Sequence, residues 1–337
     1  MKNNLLEGKL VVSIEQAVAA PYCSVKLADA GARVIKVERK EGDFARYYDN
    51  FVKGDSTYFV WLNRGKESLI ADIKNSKDQK LLKKIILKSD IFIQNLLPGT
   101  LEKYGLDSKF LRKKNKKLIT CDISGYGSDG ANSKTKAYDL LIQAETGLCS
   151  LTGDESNPGR VGISVCDIAC GLNAYTLILE ALLEREQTGV GASIKISLFD
   201  SLSEWMNVPY LQYVYTKQAP KRVGLAHPSI VPYGCFVAKD ITNILFSIQN
   251  EREWVSFEEN ILKLPEELKK KFINPSQRLK YKIKLNKLIA KAFKLLTSKK
   301  ITYYFKKGNI AYGFLNNIKD FAKHTELKTS HLTTAHG

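Results

Sequence analysis

The sequence has few of the residues on which metal sites and disulfide frameworks depend. Its 337 residues include only six cysteines and four histidines. The cysteines are scattered singly, apart from Cys166 and Cys170, and no C-x-x-C pair with accompanying histidines occurs. This spacing argues against a zinc site and against disulfide bonds. We therefore predict a protein of the reducing cytoplasm that binds no metal.

The chain also lacks a hydrophobic run of membrane-spanning length. A membrane helix needs about 18–20 consecutive apolar residues, whereas the best candidate, residues 167–183, contains Asp167, Asn173 and Glu180. The first residues, Met-Lys-Asn-Asn, do not lead into the apolar core of a signal peptide. We therefore expect no membrane partner and a cytoplasmic location.

The balance of charge is strongly basic. The 52 lysines and arginines exceed the 35 acidic residues and give a net charge of +17. Between residues 263 and 307 lysines are frequent, whereas Glu266 and Glu267 are the only acids. Such an excess attracts nucleic acids, anionic membranes or polyanionic small molecules. No helix-turn-helix, zinc-finger or RNP pattern is present, so we predict lysine-rich helix surfaces and no nucleic-acid partner.

Two familiar motifs of phosphate binding and nucleophilic catalysis are missing. The sequence has no Walker loop and no G-x-S-x-G elbow. The histidines all lie late in the chain, at His227, His324, His331 and His336. A serine or cysteine nucleophile needs a base beside it. Carboxylates and lysines therefore remain as the candidate reactive groups.

Short β-branched runs alternate with helical patterns along the first two thirds of the chain. We predict strands at 10–14, 33–38, 68–73, 90–94, 118–123 and 193–197. Helices are predicted at 76–88, from 198 to about 215 and, later in the chain, at 251–262. Strand–helix–strand units form parallel sheets, so residues 1–220 are predicted to form a Rossmann-like α/β domain. A polar segment with Pro220 marks its end, and a smaller α+β domain follows.

One carboxylate, Asp167, stands where a glycine-containing loop becomes a long apolar helix. An aspartate at a helix start usually caps the helix by accepting the free N–H groups of its first turn. The helix dipole also stabilises the carboxylate as an anion, which is the form that a nucleophile needs. The pattern leaves both interpretations open, a cap and a nucleophile. Cys166 and Cys170 beside it are expected to be small buried residues.

A series of short motifs runs in one order along nearly the whole chain. They are the segments 6–12, 16–21 and 27–38, Gly42-Asp43-Phe-Ala-Arg46, Asn63-Arg-Gly-Lys66-Glu-Ser68, Asn95-Leu-Leu-Pro98-Gly99, Ser124-Gly-Tyr-Gly127, Lys136-Ala-Tyr-Asp139 and Thr188-Gly-Val-Gly191. Together with Asp167 they resemble the type III CoA-transferase family, which includes formyl-CoA transferase, carnitine CoA-transferases and α-methylacyl-CoA racemases. The collinear order of the motifs carries this resemblance more than any single motif does.

The resemblance implies a site and an architecture. Asp167 would take the acyl group, and Gln16 would lie beside it at the thioester. The residues expected to contact CoA are Arg39, Lys66, Asn95, Leu96, Lys103, Lys136 and Tyr138. Cations at the rim of a sheet suit the phosphates of CoA. The family further implies a small domain over 221–327, a return to the large domain at 328–337, and an interlocked homodimer.

The resemblance also implies an activity. A CoA-transferase would move CoA from a donor such as succinyl-CoA to a short-chain carboxylate or dicarboxylate, through an aspartyl anhydride and an aspartyl-CoA thioester. Coenzyme A would be a substrate rather than a permanently bound cofactor. The segment 226–234 resembles that of transferases acting on malate, citramalate, mesaconate or itaconate. Residues 248–254 replace the glycine run of formyl-CoA transferase, which disfavours formyl-CoA and oxalate.

Two alternatives remain open at this level. The racemases of the family need an acid–base pair and carry a histidine directly before the aspartate in the position of Tyr138-Asp139. Tyrosine is a poor base at neutral pH, so this departure favours transfer over racemisation of a 2-methylacyl-CoA. Family members also continue for several dozen residues beyond the position of Gly337. The second alternative is therefore a truncated, inactive paralogue that binds CoA.

Overall fold

The structure, a computed structural model, describes residues 4–334. These residues divide into two compact units. The first comprises the described residues up to Thr152, then Pro158–Pro220 and the segment from His331. The second comprises Gly153–Asn157 and Lys221–Ser330. Each unit has a hydrophobic core of its own, and each is described separately below.

The first unit is built on a six-stranded sheet. Its strands are β1 (Leu10–Ile14), β2 (Arg33–Glu38), β3 (Lys66–Ile70), β4 (Ile91–Gln94), β5 (Ile119–Ser124) and β6 (Ser193–Ser197). They pair in parallel in the order β3-β2-β1-β4-β5-β6. This order is that of a Rossmann fold and confirms the predicted fold class.

Helices and short 3₁₀ segments connect these strands. The helices are α1 (Ala19–Asp29), α2 (Thr57–Asn63), α3 (Ser76–Lys88), α4 (Ser108–Lys114), α5 (Asp139–Glu145), α6 (Leu148–Leu151), α7 (Val165–Thr188), α8 (Leu198–Trp205) and α9 (Asn207–Thr216). Helix α3 shows how the local sequence specifies them. Its first turn is capped by the side chain of Asn75, and it buries Leu82 and Ile86 while its lysines face outward.

The centre of the sheet contains the point where the strand order reverses. Strand β1 pairs with β2 on one side and with β4 on the other, and Ile14 lies opposite Gln94. The segments that follow β1 and β4 therefore leave the same edge of the sheet side by side. In open α/β sheets such a switch point forms a crevice at the carboxyl ends of the strands, where ligands bind.

Helix α7 is the central helix of this unit. By length and composition alone it would suit a membrane span, but it packs in the core against α1 and α8 and buries Ala169, Cys170, Ala174 and Ile178. Gly171 permits the close approach to α1, because a Cβ atom there would lie 2.5 Å from the carbonyl oxygen of Ala19. The helix that begins beside Asp167 is thus anchored to the sheet along its buried face.

The second unit is a three-stranded antiparallel sheet with helices. Its strands are β7 (Tyr233–Val237), β8 (Asn243–Ser247) and β9 (Ala311–Phe314), with β8 in the middle. Its helices are α10 (Glu251–Phe257), α11 (Glu266–Lys271), α12 (Pro275–Lys280), α13 (Lys282–Phe293), α14 (Ser298–Gly308) and α15 (Ile318–Phe321). Phe246 is central to its core, with Phe257 and Phe305 each 5.0 Å away between ring centroids. This unit has the α+β character predicted for the smaller domain.

Some element boundaries differ from prediction. The strand predicted at 68–73 is β3, which begins earlier, at Lys66, and ends at Ile70. The single helix predicted from Leu198 to about Tyr215 is wrong, since α8 and α9 meet at Met206. The pattern after Glu251 changes from α-helix to a π-helical turn at Glu258–Leu262. Packing rather than local propensity decides such breaks.

Candidate active site

A cavity of about 570 Å³ opens at the switch point of the first unit. It lies where the loops following β1, β4 and β5 meet the start of α7. The polar and charged residues that line it include Gln16, Asn95, Ser124, Lys136, Tyr138, Asp139, Arg160 and Asp167. Phe44, Tyr48 and Tyr58 contribute an aromatic wall. A largely apolar cleft with a few convergent polar groups is the usual form of a small-molecule site.

Asp167 lies in the first turn of α7 but does not cap it. The helix begins at Val165, so Asp167 is its third residue, and Ser164 at the cap position makes no side-chain hydrogen bond to the helix. The cap comes instead from Asp139, whose Oδ1 accepts the N–H of Cys166 at 2.7 Å and that of Asp167 at 3.4 Å. Of the two interpretations of Asp167, the helix cap is therefore wrong, and its carboxylate is left to line the cavity.

Asp139 is itself fixed by a buried glutamine. Gln143 Nε2 donates to Asp139 Oδ2 at 2.7 Å, and Gln143 Oε1 accepts the backbone N–H of Val161 at 2.9 Å. The Gln143 side chain is fully buried, so these bonds are shielded from water. Gln143 thus ties the loop before α7 to α5 and holds Asp139 against the helix start.

The pKa of Asp167 is raised to about 7, first by burial and then by the negative charge of Asp139. The expectation that the helix start would stabilise the Asp167 anion is therefore wrong. Burial and the negative charge of Asp139 disfavour the anion instead. At neutral pH the group is divided between its ionised and protonated forms. A carboxylate of this pKa is more basic than an ordinary one and still substantially available as an anion.

Gln16 reaches the cavity from the segment after β1. Its backbone N–H donates to Asn95 Oδ1 at 3.0 Å, and its carbonyl accepts from Asn95 Nδ2 at 2.8 Å. The next residue, Ala17, has a positive φ of 63° and donates its N–H to Asp43 Oδ1 at 3.1 Å. Gln16 and Asp167, the two predicted catalytic residues, therefore line the same cavity.

The seven predicted CoA contacts fall into two groups. Asn95, Leu96, Lys136 and Tyr138 line the cavity with Asp167. Arg39, Lys66 and Lys103 are not among its lining residues. The cavity therefore brings together more than half of the predicted set, while the remaining cations lie elsewhere on the unit.

Lys66 has a different environment from the one predicted. Its Nζ donates to Glu15 Oε1 at 2.7 Å, to the carbonyl of Pro21 at 3.1 Å and to Asn63 Oδ1 at 3.2 Å. Its side chain is 2% exposed, and burial lowers its pKa to about 8 despite the nearby Glu15 carboxylate. An ammonium with three hydrogen-bond partners braces the protein and is not free to meet a phosphate.

Arg39 and Lys103 lie at the surface. Arg39 follows β2, is 62% exposed and donates to the carbonyl of Gly42 at 3.1 Å. Lys103 is exposed on the 3₁₀ turn Leu101–Tyr104 after β4. Both are available to solvent in loops at the carboxyl edge of the sheet.

The structure adds residues to the site that the sequence pattern did not single out. In the sequence, Asp139 was noted only as the last residue of the Lys136–Asp139 motif, and no sequence pattern marked Gln143. Arg160 lies in the loop before α7 and was not predicted to bind a ligand. Within the described chain, neither Arg160 nor Lys136 has a hydrogen bond or an ion pair. Among residues 4–334 there is no group of three histidines, cysteines or acids placed to hold a metal ion.

Known proteins resemble this chain along most of its length. The family model for CoA-transferase family III matches residues 6–336. The human succinyl-CoA:glutarate CoA-transferase is 34% identical over 324 residues, which covers 94% of this chain and 74% of that protein. The acetyl-CoA:oxalate CoA-transferase of Acetobacter aceti is 35% identical over 237 residues, covering 69% of this chain and 61% of that protein.

Solved structures agree with the sequence comparisons. A CaiB/BaiF family protein from Brucella suis superposes with a TM-score of 0.85 at 31% identity, covering 96% of this chain and 87% of that one. The resemblance predicted from the motifs is confirmed. The chain belongs to CoA-transferase family III, and it is an enzyme of the CoA-transferase type whose substrates are CoA thioesters.

Proposed function

We propose that this protein transfers CoA from succinyl-CoA to a short-chain dicarboxylate, with Asp167 as the covalent nucleophile. One observation carries the proposal: the Asp167 carboxylate lines the cavity at the switch point, and its pKa is raised to about 7. A structural carboxylate would normally be paired with a cation or with N–H donors that lower its pKa. This one lines the cavity that Gln16 also lines, as a reactive group must.

The first half of the reaction loads the enzyme. The ionised Asp167 attacks the thioester carbonyl of the donor, which forms a mixed anhydride and releases the CoA thiolate. The thiolate then attacks the aspartyl carbonyl of that anhydride. Succinate leaves, and CoA remains attached to Asp167 as a thioester. The Gln16 amide is the proposed partner of the thioester group during these exchanges.

The second half unloads CoA onto the acceptor. The acceptor carboxylate attacks the aspartyl-CoA thioester, giving a new mixed anhydride and CoA thiolate. The thiolate attacks the acceptor carbonyl of this anhydride, and the products are the new acyl-CoA and free Asp167. Every step passes through an oxyanion, which backbone N–H groups and the Gln16 amide are suited to stabilise.

The cations of the first unit support the binding of CoA. Lys136, with Leu96 and Tyr138, lines the cavity that holds Asp167. Arg39 and Lys103 extend from exposed loops at the same edge of the sheet. We infer that Lys136 contacts CoA within the cavity, whereas Arg39 and Lys103 meet its phosphates outside.

Arg160 supports a dicarboxylate as the acceptor. The charged residues of the cavity are Lys136, Asp139, Arg160 and Asp167. If Lys136 serves CoA, Arg160 is the cation left for the substrate, and its guanidinium has no partner in the described chain. An unpaired arginine in the same cavity as the nucleophile suits the second carboxylate of a diacid. The named acceptors of the relatives above, glutarate and oxalate, are also diacids.

A homodimer in the cytoplasm completes the proposal. Helix α9 buries none of its residues within the described chain, and Val208, Tyr210, Leu211, Tyr213 and Tyr215 are exposed on it. An apolar and aromatic helix surface of this kind is typical of a subunit interface. The six cysteines are all free, which suits a reducing compartment.

An acceptor screen tests this function. Purified protein is incubated with succinyl-CoA and, separately, glutarate, mesaconate, oxalate and the monocarboxylate butyrate, and new acyl-CoA is measured by mass spectrometry. We expect transfer to at least one of the longer diacids and much less to butyrate. A 2-methylacyl-CoA deuterated at the α-carbon serves as a further arm. The proposal would be contradicted if no incubation showed CoA transfer and the 2-methylacyl-CoA lost its deuterium without an acceptor.

A further inference from the structure

The backbone at Gln16 is held by side chains that lie far away in the sequence. Asn95 bonds to both the N–H and the carbonyl of Gln16, at 3.0 and 2.8 Å. Asp43 accepts the following N–H, that of Ala17, at 3.1 Å. The peptide groups on both sides of the Gln16 side chain are therefore fixed from outside the segment. We call Asn95 and Asp43 the Gln16 clamp.

Ala17 shows that this arrangement is imposed on the chain. Its φ of 63° lies in the left-handed region, which is unfavourable for a residue with a Cβ atom. Such a conformation persists only where the surroundings over-determine it. The bond from Ala17 N–H to Asp43 and those between Gln16 and Asn95 provide that constraint. The turn thus directs the Gln16 side chain toward the cavity instead of continuing the strand.

A buried group of charges fixes Asp43. Its Oδ2 accepts from Lys36 Nζ at 2.7 Å, and neither side chain is more than 1% exposed. Asn63 Oδ1 accepts from Lys36 at 2.9 Å and from Lys66 at 3.2 Å, and Lys66 in turn pairs with Glu15 at 2.7 Å. Two buried cations and two buried anions neutralise each other. Removing one partner would leave an uncompensated charge, so the group resists rearrangement.

We propose that Asn95 and Asp43, with Lys36 behind Asp43, are positioning residues that set the direction of the Gln16 amide at the reacting thioester. This inference rests on the proposed function, because it gives Gln16 a place in the thioester exchange. Catalysis is sensitive to such placement, and a displacement of about 1 Å costs roughly 100-fold in rate. Asn95 then acts through Gln16, and its amide is not a recognition group for CoA.

A double-mutant cycle with Gln16→Ala separates these roles. Asn95→Asp keeps the size of the side chain and the acceptor for Gln16 N–H, but it replaces the donor to the Gln16 carbonyl with an oxygen. We expect kcat to fall about 10- to 100-fold when Gln16 is present and less than about threefold further in the Gln16→Ala background. Asp43→Asn should show the same pattern, and Asn95→Ala replaces Asn95→Asp if the latter does not fold.

Asn115→Asp is the matched control. Asn115 also braces backbone, accepting Lys117 N–H at 2.9 Å and donating to the carbonyl of Leu87 at 3.1 Å, but it lies just before β5, at the opposite end of that strand from the cavity. Asn115→Asp should leave kcat unchanged. If Asn95→Asp lowers kcat by the same factor with Gln16 present and in the Gln16→Ala background, the clamp is overturned. A Gln16→Ala enzyme with normal kcat would also overturn it. A raised KM for acyl-CoA with normal kcat would assign Asn95 to CoA binding and overturn it as well.

Hydrogen–deuterium exchange gives a readout that does not need activity. The amide of Gln16 should exchange at least tenfold faster in Asn95→Ala, and the amide of Ala17 at least tenfold faster in Asp43→Ala, than in the native protein or Asn115→Asp, because each alanine removes the oxygen that accepts that N–H. Unchanged exchange would overturn the clamp, whether or not Asp167 is acylated. Faster exchange in a protein that never acylates Asp167 would instead contradict the proposed function and leave the backbone contacts of the clamp established.

Discussion

The carboxylate of Asp139 accepts the backbone N–H of Asp167 at 3.4 Å and, with that of Cys166 at 2.7 Å, caps α7. The same carboxylate raises the pKa of Asp167 by its charge, second only to burial. Asp139 thus orders the turn on which Asp167 sits and opposes the ionisation of its side chain. The Asp139 carboxylate therefore contributes both to the ordered start of α7 and to the raised pKa of Asp167.

The first prediction concerns pH. In the proposed mechanism Asp167 must be ionised to attack, and its pKa is raised to about 7. We therefore expect kcat/KM to fall as pH drops through about 7, approaching tenfold per pH unit below about 6, because kcat/KM reports the free enzyme. This is checked by measuring kcat/KM for succinyl-CoA as a function of pH at a saturating concentration of acceptor. A flat profile between pH 5 and 8 would show that Asp167 titrates outside this range.

Asp139→Asn sharpens that measurement. The asparagine keeps an oxygen for the N–H of Cys166 but removes the negative charge that raises the pKa of Asp167. The midpoint of the acid limb should move to lower pH. Asp129→Asn removes an exposed charge from the loop before α5, at a position that does not line the cavity, and should leave the midpoint in place. An equal shift in both variants would argue for a general surface effect.

The second prediction is that the ionised Asp167 carboxylate destabilises the fold. The folded pKa of about 7 exceeds the ordinary value of 3.8, so the folded state binds a proton that the unfolded state lacks between those pH values. Stability from this group is thus lost as pH rises from about 4 to 7. At about 1.4 kcal/mol per pKa unit, the cost above pH 7 is at most roughly 4 kcal/mol.

Asp167→Asn removes that cost together with the activity. We expect the Tm difference between variant and native protein to be clearly more favourable at pH 8 than at pH 4, as measured by differential scanning fluorimetry. Such a trade between stability and activity is common at catalytic residues. A variant that is less stable than the native protein at pH 8 would contradict the assigned environment of Asp167.

The third prediction concerns acceptor choice. Arg160→Met should lower the ratio of kcat/KM for glutarate over butyrate by about 10- to 100-fold, since a charge-assisted hydrogen bond contributes about 1.5–3 kcal/mol. Lys136→Met is the control, and it should raise KM for acyl-CoA while leaving that ratio unchanged. If the ratio falls with Lys136→Met instead, the two cations have exchanged roles. A ratio that neither variant alters would remove Arg160 from acceptor recognition.

The fourth prediction concerns the packing of α7 on α1. A Cβ atom at Gly171 would lie 2.5 Å from the carbonyl oxygen of Ala19 and 3.0 Å from the Tyr22 side chain. Gly171→Ala should therefore destabilise the protein by about 1–3 kcal/mol, as overpacking does. Gly130→Ala, where a Cβ atom meets nothing within 4 Å, should be nearly neutral. Urea unfolding of both variants checks the contrast, and equal effects would contradict the close contact.

Local patterns predicted the framework well. The strands at 10–14, 33–38 and 193–197 and the helix at 76–88 have the predicted bounds, because β-branched runs and apolar periodicity report local burial. The motifs placed Gln16, Asn95 and Asp167 in one site, and they line one cavity. Such features depend on residues close together in the sequence or on the strand order.

The rest depended on contacts between distant segments. Asp139 caps a helix 26 residues later, at Val165, and no local signal marks such a bond. Lys66 matched a motif whose members were expected to contact CoA, yet its ammonium is buried and donates to Glu15 and Asn63. Sequence alone does not distinguish a lysine at the rim of a sheet from one inside a charge cluster, because burial is a property of the assembled fold.

The most direct test of the central claim is to trap the covalent intermediate. The protein is incubated with succinyl-CoA and hydroxylamine, digested with trypsin, and the 161–185 peptide, which contains Asp167, Glu180 and Glu184, is sequenced by mass spectrometry. We predict a hydroxamate on Asp167, none on the two glutamates, and none in Asp167→Asn. An unmodified Asp167 in protein that transfers CoA, or a hydroxamate on another carboxylate, would contradict the account.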